Sequence, residues 1–181
     1  MLALIALLCI GWVLIIIAIW LHFAKKGAGA FFFQARPGKG GKIFKVIKFK
    51  TMTDECDENG KLLPDVARLT KVGQFVRSTS IDELPQLWNV FCGQMAFIGP
   101  RPERKYFIDQ IMEHDPRYVF LYQIRPGVTS YATLYNGYTD TMDKMLRRLR
   151  YDLFYLQHRS WWFDFKILVK TFINICFGKK F

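Results

Sequence analysis

The sequence opens with MLALIALLCIGWVLIIIAIWLHFA (residues 1–24), a segment without charged side chains in which only Gly11 and His22 interrupt the apolar run. As an α-helix it would extend about 35 Å, enough to cross a hydrocarbon core of about 30 Å. Basic residues without any acidic residue follow directly between positions 25 and 50, namely Lys25, Lys26, Arg36, Lys39, Lys42, Lys45, Lys48 and Lys50. An apolar segment followed by a cationic one is typical of a membrane anchor with a cytoplasmic flank.

Three interpretations of this segment differ in topology. A cleaved signal peptide is disfavoured because no basic region precedes the apolar run. A simple spanning helix would place residue 25 onward in the cytoplasm. A re-entrant helix would enter and leave by the same face, which requires a break in the helix, and Gly11 is the only candidate for it.

Composition and charge restrict the class of protein. The 181 residues carry a net charge of +11, yet 51% are apolar and 17% are aromatic, which excludes an intrinsically disordered chain. Charge alone would allow a nucleic-acid binder, but the basic residues cluster next to a membrane segment, so we expect no nucleic-acid partner. No CxxC pair is present, so the isolated cysteines are expected to be buried thiols in a reducing cytosol: Cys9, Cys56, Cys92 and Cys176.

The remainder predicts an α+β fold that is mainly helical. Residues 31–34 and 43–49 flank a turn-rich connector and predict a short β-hairpin, and the acidic stretch 53–65 predicts a surface loop. Helices are predicted over residues 66–76, 84–90, 106–113 and 146–157. The aromatic stretch 161–177 is too polar to span a membrane and predicts an amphipathic helix at the interface, with a C-terminal core helix as the alternative. The predicted domains are a membrane-inserted helix (1–24) and a domain on the cytoplasmic face (25–181) that includes the C-terminal interfacial helix (161–177).

The most informative stretch for chemistry is RSTSIDELPQLWNVFCGQMAFIGPRP (residues 77–102). Because proline is tolerated only in the first turn of a helix, the helix over 84–90 must begin close to Asp82 and Glu83, whose carboxylates then lie at its N-terminal end. A purely structural interpretation competes, since Ser80 and Glu83 have the spacing of a capping box.

Rigid arginines and a lysine add phosphate-binding character. Arg101 lies between two prolines, and Arg125 precedes a Pro-Gly turn, so the direction of each guanidinium is constrained. Lys48 ends the basic hairpin. Carboxylates and cations beside a membrane suit phosphoryl chemistry with a divalent cation.

These blocks together resemble the bacterial sugar transferase family, the monotopic polyprenyl-phosphate phosphoglycosyl transferases. The similarity rests on QARPG (34–38), KFKTM (48–52), RSTSIDELPQ (77–86), FIGPRP (97–102) and RPG (125–127), which occur in the family's order over nearly the whole chain. The resemblance implies a membrane-associated catalytic domain with a re-entrant N-terminal helix and interfacial amphipathic helices. It implies an enzyme of the bacterial inner membrane, facing the cytoplasm, and is compatible with a homo-oligomer.

The resemblance also implies a reaction: transfer of a phosphosugar from a UDP-sugar to undecaprenyl phosphate, with release of UMP and a requirement for Mg²⁺. This is the first membrane step in the assembly of exopolysaccharides, O-antigens and glycoconjugates. Asp82 would be the nucleophile that forms a phosphosugar-aspartyl intermediate, and Glu83 would hold Mg²⁺ with it or accept a proton. Lys48, Arg101, Arg125 and Asp152 would contact the phosphates or the substrate.

The helix over residues 1–24 lacks the proline that usually bends the family's N-terminal helix, so the monotopic topology is an expectation from resemblance alone. A non-catalytic alternative is a membrane-anchored basic module that binds anionic lipid or nucleic acid. It predicts salt-sensitive binding that tolerates the loss of Asp82. A degenerate homologue that acts as a scaffold is disfavoured by the intact Asp-Glu pair and arginine motifs. The identity of the sugar depends on hydrogen bonds that tertiary structure arranges.

Overall fold

A computed structural model describes residues 2–24, 29–137 and 139–177. The flanking charges Lys25 and Lys26 lie outside the described residues. The helices are α1 (Leu2–Ala24), α2 (Asp65–Arg68), α3 (Lys71–Ser78), α4 (Gln86–Phe91), α5 (Lys105–His114), α6 (Tyr131–Asn136), α7 (Met142–His158) and α8 (Trp161–Cys176). The strands form two small sheets, β1 (Phe31–Pro37) with β2 (Ile43–Phe49), and β3 (Ala96–Ile98) with β4 (Gly127–Thr129).

The described residues therefore form a mostly helical fold with small sheets, which confirms the predicted class in its coarse form. The chain divides into two compact units. The first comprises residues 1–34 and 47–88, and the second comprises residues 35–46 and 89–181. The hairpin contributes its base to the first unit and its tip to the second.

The core of the first unit joins α1 to the base of the hairpin. Leu21, Phe49 and Val76 are buried together. Three more residues of α1 pack against this cluster from the same face of the helix: Leu14, Ile17 and Ala18. Burying such side chains contributes roughly 1.5–3 kcal/mol each, so the C-terminal half of α1 is an integral part of this unit.

Helix α1 runs without interruption from Leu2 to Ala24 and includes Gly11. The break that a re-entrant path was expected to make at Gly11 is therefore absent from the described helix. Residues 3–23 are long and apolar enough to cross a membrane, and the large side chains that do not face the core are exposed, Trp12 and Phe23 among them. By length and composition this is weak evidence of membrane association.

The second unit has two hydrophobic clusters. In the larger one, Ile108 and Ile111 of α5 pack with Leu149 of α7 and with Tyr118 and Leu121, which lie in a 3₁₀ segment (Pro116–Gln123) between α5 and β4. In the smaller one, the hairpin tip packs through Phe44 and Val46 against Met95. Helix α8 contacts β4 through a hydrogen bond between the hydroxyls of Thr171 and Thr129 (2.9 Å).

Several sequence predictions need correction. The helix predicted over residues 66–76 is interrupted at Leu69, because the side chain of Thr70 accepts a hydrogen bond from Gly73 and starts α3 there. The cysteines were expected to be buried, but Cys9, Cys56 and Cys92 are exposed, and the side chain of Cys176 lies outside the described part of the chain. The hairpin, α5, α7 and α8 were predicted with small differences at their ends. Helix α8 exposes most of its large apolar side chains, which contradicts the alternative of a buried core helix.

Candidate functional site

Asp82 and Glu83 lie in a tight 3₁₀ turn (Ile81–Glu83) between α3 and α4. The predicted capping box is not formed: Ser80 has φ +57°, and its side chain makes no capping hydrogen bond. An N-cap residue normally needs extended backbone, which a left-handed residue does not provide. Ser80 is the only residue other than glycine with positive φ in the described part of the chain. Such backbone costs about 1–3 kcal/mol and is concentrated at functional sites.

Lys48 of β2 binds Glu83 directly. Its Nζ lies 2.7 Å from Glu83 Oε1, and both side chains are largely shielded, with 23% and 17% of their surfaces exposed. The contact joins two of the sequence-predicted site residues that are 35 positions apart. It places a cation beside the carboxylate pair, which reduces the repulsion that a diphosphate would meet there.

The end of β2 is held against α3 by a close backbone contact at Gly73. A Cβ atom at Gly73 would lie 1.9 Å from the carbonyl oxygen of Thr51, so only glycine fits. The buried hydroxyl of Thr51 accepts a hydrogen bond from Nε of Arg77 (2.8 Å), which lies near the end of α3. These contacts connect the strand that carries Lys48 to the helix that leads to Asp82. The sequence had placed Arg77 and Thr51 in family-like blocks without giving either one a role.

Arg101 and Arg125 lie on two segments whose backbones touch. Strands β3 and β4 are parallel, and the chain after β3 folds back so that the carbonyl oxygen of Pro100 accepts from the backbone N–H of Gly127 (2.9 Å). A Cβ atom at Gly99 would lie 2.5 Å from the carbonyl oxygen of Arg125. The glycines of both motifs are thus required by the close approach of two backbones. The structure brings these two predicted arginines onto neighbouring segments of the second unit.

Asp152 lies on α7 in the wall of a small cavity that Arg101, Glu103, Tyr118 and Arg148 also line. Its side chain is 2% exposed, and Oδ1 has no hydrogen-bond partner. Burial raises the pKa of Asp152 to about 8, with nearby Arg148 opposing and Glu103 reinforcing the increase. The raised pKa favours the protonated, neutral form of Asp152 at pH 7.

A divalent cation was predicted at Asp82 and Glu83. Among the residues that the structure describes, no group of three or more His, Cys, Asp or Glu side chains is placed to hold a metal ion. Mg²⁺ is commonly bound by only one or two carboxylates together with water and the phosphates of a substrate. Two adjacent carboxylates fit that donor set, although one oxygen of Glu83 already contacts Lys48.

Comparison with known proteins identifies the family. Residues 1–178 match the model of the bacterial sugar transferase family. The chain is 40% identical over 169 residues to an uncharacterized sugar transferase, EpsL, of Bacillus subtilis (strain 168), covering 93% of this chain and 81% of that protein. It is 39% identical over 176 residues to a UDP-glucose:undecaprenyl-phosphate glucose-1-phosphate transferase of Escherichia coli (strain K12), covering 94% of this chain.

A third relative, from Aeromonas hydrophila, is a UDP-N-acetylgalactosamine-undecaprenyl-phosphate N-acetylgalactosaminephosphotransferase, 36% identical over 149 residues and 81% of this chain. The matched region is only 37% of the Escherichia coli protein and 35% of the Aeromonas protein, so the chain corresponds to about a third of these longer enzymes. The family model and the EpsL match cover nearly all of the chain, and the predicted resemblance is confirmed. The chain belongs to the bacterial sugar transferase family.

Proposed function

We propose that the chain transfers a phosphosugar from a UDP-sugar to undecaprenyl phosphate and releases UMP. The single observation that carries the proposal is the turn over Ile81–Glu83, which holds two consecutive acidic residues and in which Glu83 binds the ammonium group of Lys48. The names of the relatives support both substrates. We place the reaction at the start of polysaccharide or glycoconjugate assembly on the cytoplasmic face of the bacterial inner membrane.

The reaction proceeds in two displacements on the same phosphorus atom. A carboxylate oxygen of Asp82 attacks the β-phosphorus of the UDP-sugar, and the bond from that phosphorus to the bridging oxygen breaks, so that UMP leaves with the electron pair. A phosphate oxygen of undecaprenyl phosphate then attacks the phosphosugar-aspartyl intermediate, and the carboxylate of Asp82 is released. An ionised carboxylate needs no general base for the first step.

The basic residues stabilise the negative charge of the phosphates. Lys48 lies next to the carboxylate pair, and Arg101 and Arg125 present planar guanidinium groups suited to bidentate phosphate contacts. Asp152, in the wall of the cavity that Arg101 also lines, is the remaining candidate for a contact with the substrate. Glu83 either holds the metal or accepts a proton from the lipid phosphate.

Mg²⁺ is the proposed cofactor, and Asp82 would hold it near the diphosphate of the substrate, with Glu83 as a second ligand in the first of its two roles. When bound, it would neutralise charge on the diphosphate and make UMP a better leaving group.

The proposed mode of membrane attachment is supported by the packing of α1. From Leu14 onward, α1 packs on the core of the first unit, which includes Phe49 and Val76. The residues next to these two in the sequence are Lys48 and Arg77, so this half of α1 cannot enter hydrocarbon without bringing their charges with it. We therefore propose that α1 enters one leaflet without crossing the bilayer, and that α8 lies in the interface with Trp161 and Phe172 exposed.

A donor screen tests the proposed reaction. The full chain in lipid nanodiscs is incubated with undecaprenyl phosphate, Mg²⁺ and each of several UDP-hexoses, and UMP is measured. We expect UMP release with at least one donor and its loss in Asp82→Asn.

The matched control is Asp143→Asn, which removes an exposed carboxylate from the first turn of α7 and should leave turnover unchanged. Full turnover by Asp82→Asn would contradict the assignment of Asp82 as the nucleophile. Salt-sensitive lipid binding without UMP release from any donor would instead support the non-catalytic basic module.

A further inference from the structure

A group of largely shielded charged side chains in the second unit has no role in the reaction described above. It comprises Arg36 on β1, Glu103 after the Pro-Arg-Pro segment, and Arg148 on α7. The side chains of Arg36, Glu103 and Arg148 are only 16%, 19% and 10% exposed. Charged groups in such surroundings require an explanation, because removing them from water costs several kcal/mol per ion.

Glu103 is the centre of this group. Its Oε2 lies 3.2 Å from Nη1 of Arg36, and its Oε1 accepts a hydrogen bond from Nη1 of Arg148. One carboxylate therefore serves two guanidinium groups. Burial lowers the pKa of Arg36, and the contact with Glu103 opposes that effect, so the carboxylate compensates part of the desolvation cost.

Hydrogen bonds hold the backbone on both sides of Arg101. On one side, the carbonyl oxygen of Pro100 accepts from the N–H of Gly127 (2.9 Å). On the other side, the carbonyl oxygen of Pro102 accepts from Nη1 of Arg36 (3.1 Å), the same nitrogen that donates to Glu103. The two prolines leave the backbone of this segment little freedom of its own. The direction of Arg101 thus depends on a guanidinium that Glu103 holds in place.

We propose that Glu103 is the positioning residue for Arg101, acting through Arg36, while Arg148 secures Glu103 from α7. The proposal rests on the proposed function, because it assumes that Arg101 contacts a phosphate of a substrate. Buried ion pairs are weak contributors to net stability, but they define geometry well, and misplacing a binding group by about 1 Å can cost about a hundredfold in rate.

A double-mutant cycle tests this inference. Glu103→Gln keeps the shape of the side chain but removes the charge that holds both guanidinium groups. We expect it to lower kcat/KM for the UDP-sugar about tenfold in the wild-type background, and less than about twofold in the Arg101→Ala background, because its effect passes through Arg101. We also expect Glu103→Gln to reduce the increase in Tm that saturating UDP gives the wild type, a readout that requires no turnover.

Controls separate positioning from general destabilisation. Asp109→Asn breaks an exposed ion pair with Lys105 on α5 and should change neither readout. If Glu103→Gln does not fold, Arg36→Lys replaces it in the same cycle, since lysine keeps the charge but is shorter and lacks the planar fork that spans both acceptors.

Equal losses of kcat/KM in the two backgrounds, or an Arg101→Ala variant that turns over and binds UDP normally, would overturn the inference. Absence of turnover in the wild type with every donor would contradict the proposed function instead. In that case UDP-dependent stabilisation that is lost in both Arg101→Ala and Glu103→Gln would still support the positioning role.

Discussion

Replacing Gly73 by alanine perturbs the contact that joins β2 to α3. The new Cβ atom would lie 1.9 Å from the carbonyl oxygen of Thr51, about 1.5 Å short of an ordinary contact at 3.4 Å, and the obstacle is backbone. Overpacking of this kind costs roughly 1–3 kcal/mol, and a backbone clash lies at the upper end. Alanine regains about 1 kcal/mol of helix propensity. We therefore expect a net loss of about 2 kcal/mol in the free energy of unfolding.

For a chain of this length, such a loss corresponds to a decrease in Tm of about 4–8 °C, measured by thermal unfolding in detergent micelles. Because the same contact connects the strand of Lys48 to the helix that leads to Asp82, UMP release at a permissive temperature should also decrease. Gly11→Ala is the matched control, since that glycine is also helical and a Cβ atom there would meet nothing within 4 Å. A Gly73→Ala protein as stable as wild type would refute this description of the contact.

Three further predictions concern charge and topology. Because the pKa of Asp152 is raised to about 8 in the folded protein from 3.8, the folded state binds more protons than the unfolded state between about pH 4 and pH 8. The free energy of unfolding should therefore fall as pH rises through this window. In measurements of Tm from pH 5 to pH 9, Asp152→Asn should make Tm depend less on pH. A pH dependence of Tm that is the same in the variant and the wild type would contradict the raised pKa of Asp152. Lys48→Met removes the ammonium group 2.7 Å from Glu83 and should lower kcat/KM at least tenfold, while changing stability by only about 1 kcal/mol because the pair is partly exposed. Turnover by the variant that equals that of the wild type at both saturating and low donor concentrations would refute this role of Lys48. A cysteine introduced at Leu2 should not react with an impermeant maleimide from the periplasmic side, whereas labelling from that side alone would show that α1 spans the bilayer.

The parts of the fold that could be predicted depend on local pattern. The hairpin and α7 were found because period-two alternation and apolar residues at helical spacing are visible within a few positions. The capping box predicted at Ser80 was wrong. The spacing of Ser80 and Glu83 matched that motif, but the backbone at Ser80 is left-handed and its side chain does not cap the turn. No local signal in the sequence indicated that conformation.

The candidate site could be predicted only residue by residue. Proline, glycine and charge identified Asp82, Arg101 and Arg125 as candidates, but contacts across the chain were not visible. Glu103 meets Arg36 from 67 positions away and Arg148 from 45 positions away, so no local motif contains the cluster. Asp152 was expected to contact the substrate. Its near-complete burial results from the tertiary packing of α7 against elements such as α5, which no local sequence pattern indicates.

The central claim is that Asp82 forms a covalent bond to the phosphosugar. The most direct measurement incubates the chain with the donor that supports UMP release, without undecaprenyl phosphate, and maps the protein by mass spectrometry after rapid acid quenching. We predict a phosphosugar adduct on the peptide that contains Asp82, absent from Asp82→Asn and discharged when undecaprenyl phosphate is added. An adduct on another residue, or full turnover with none on Asp82 at any time point, would contradict the account.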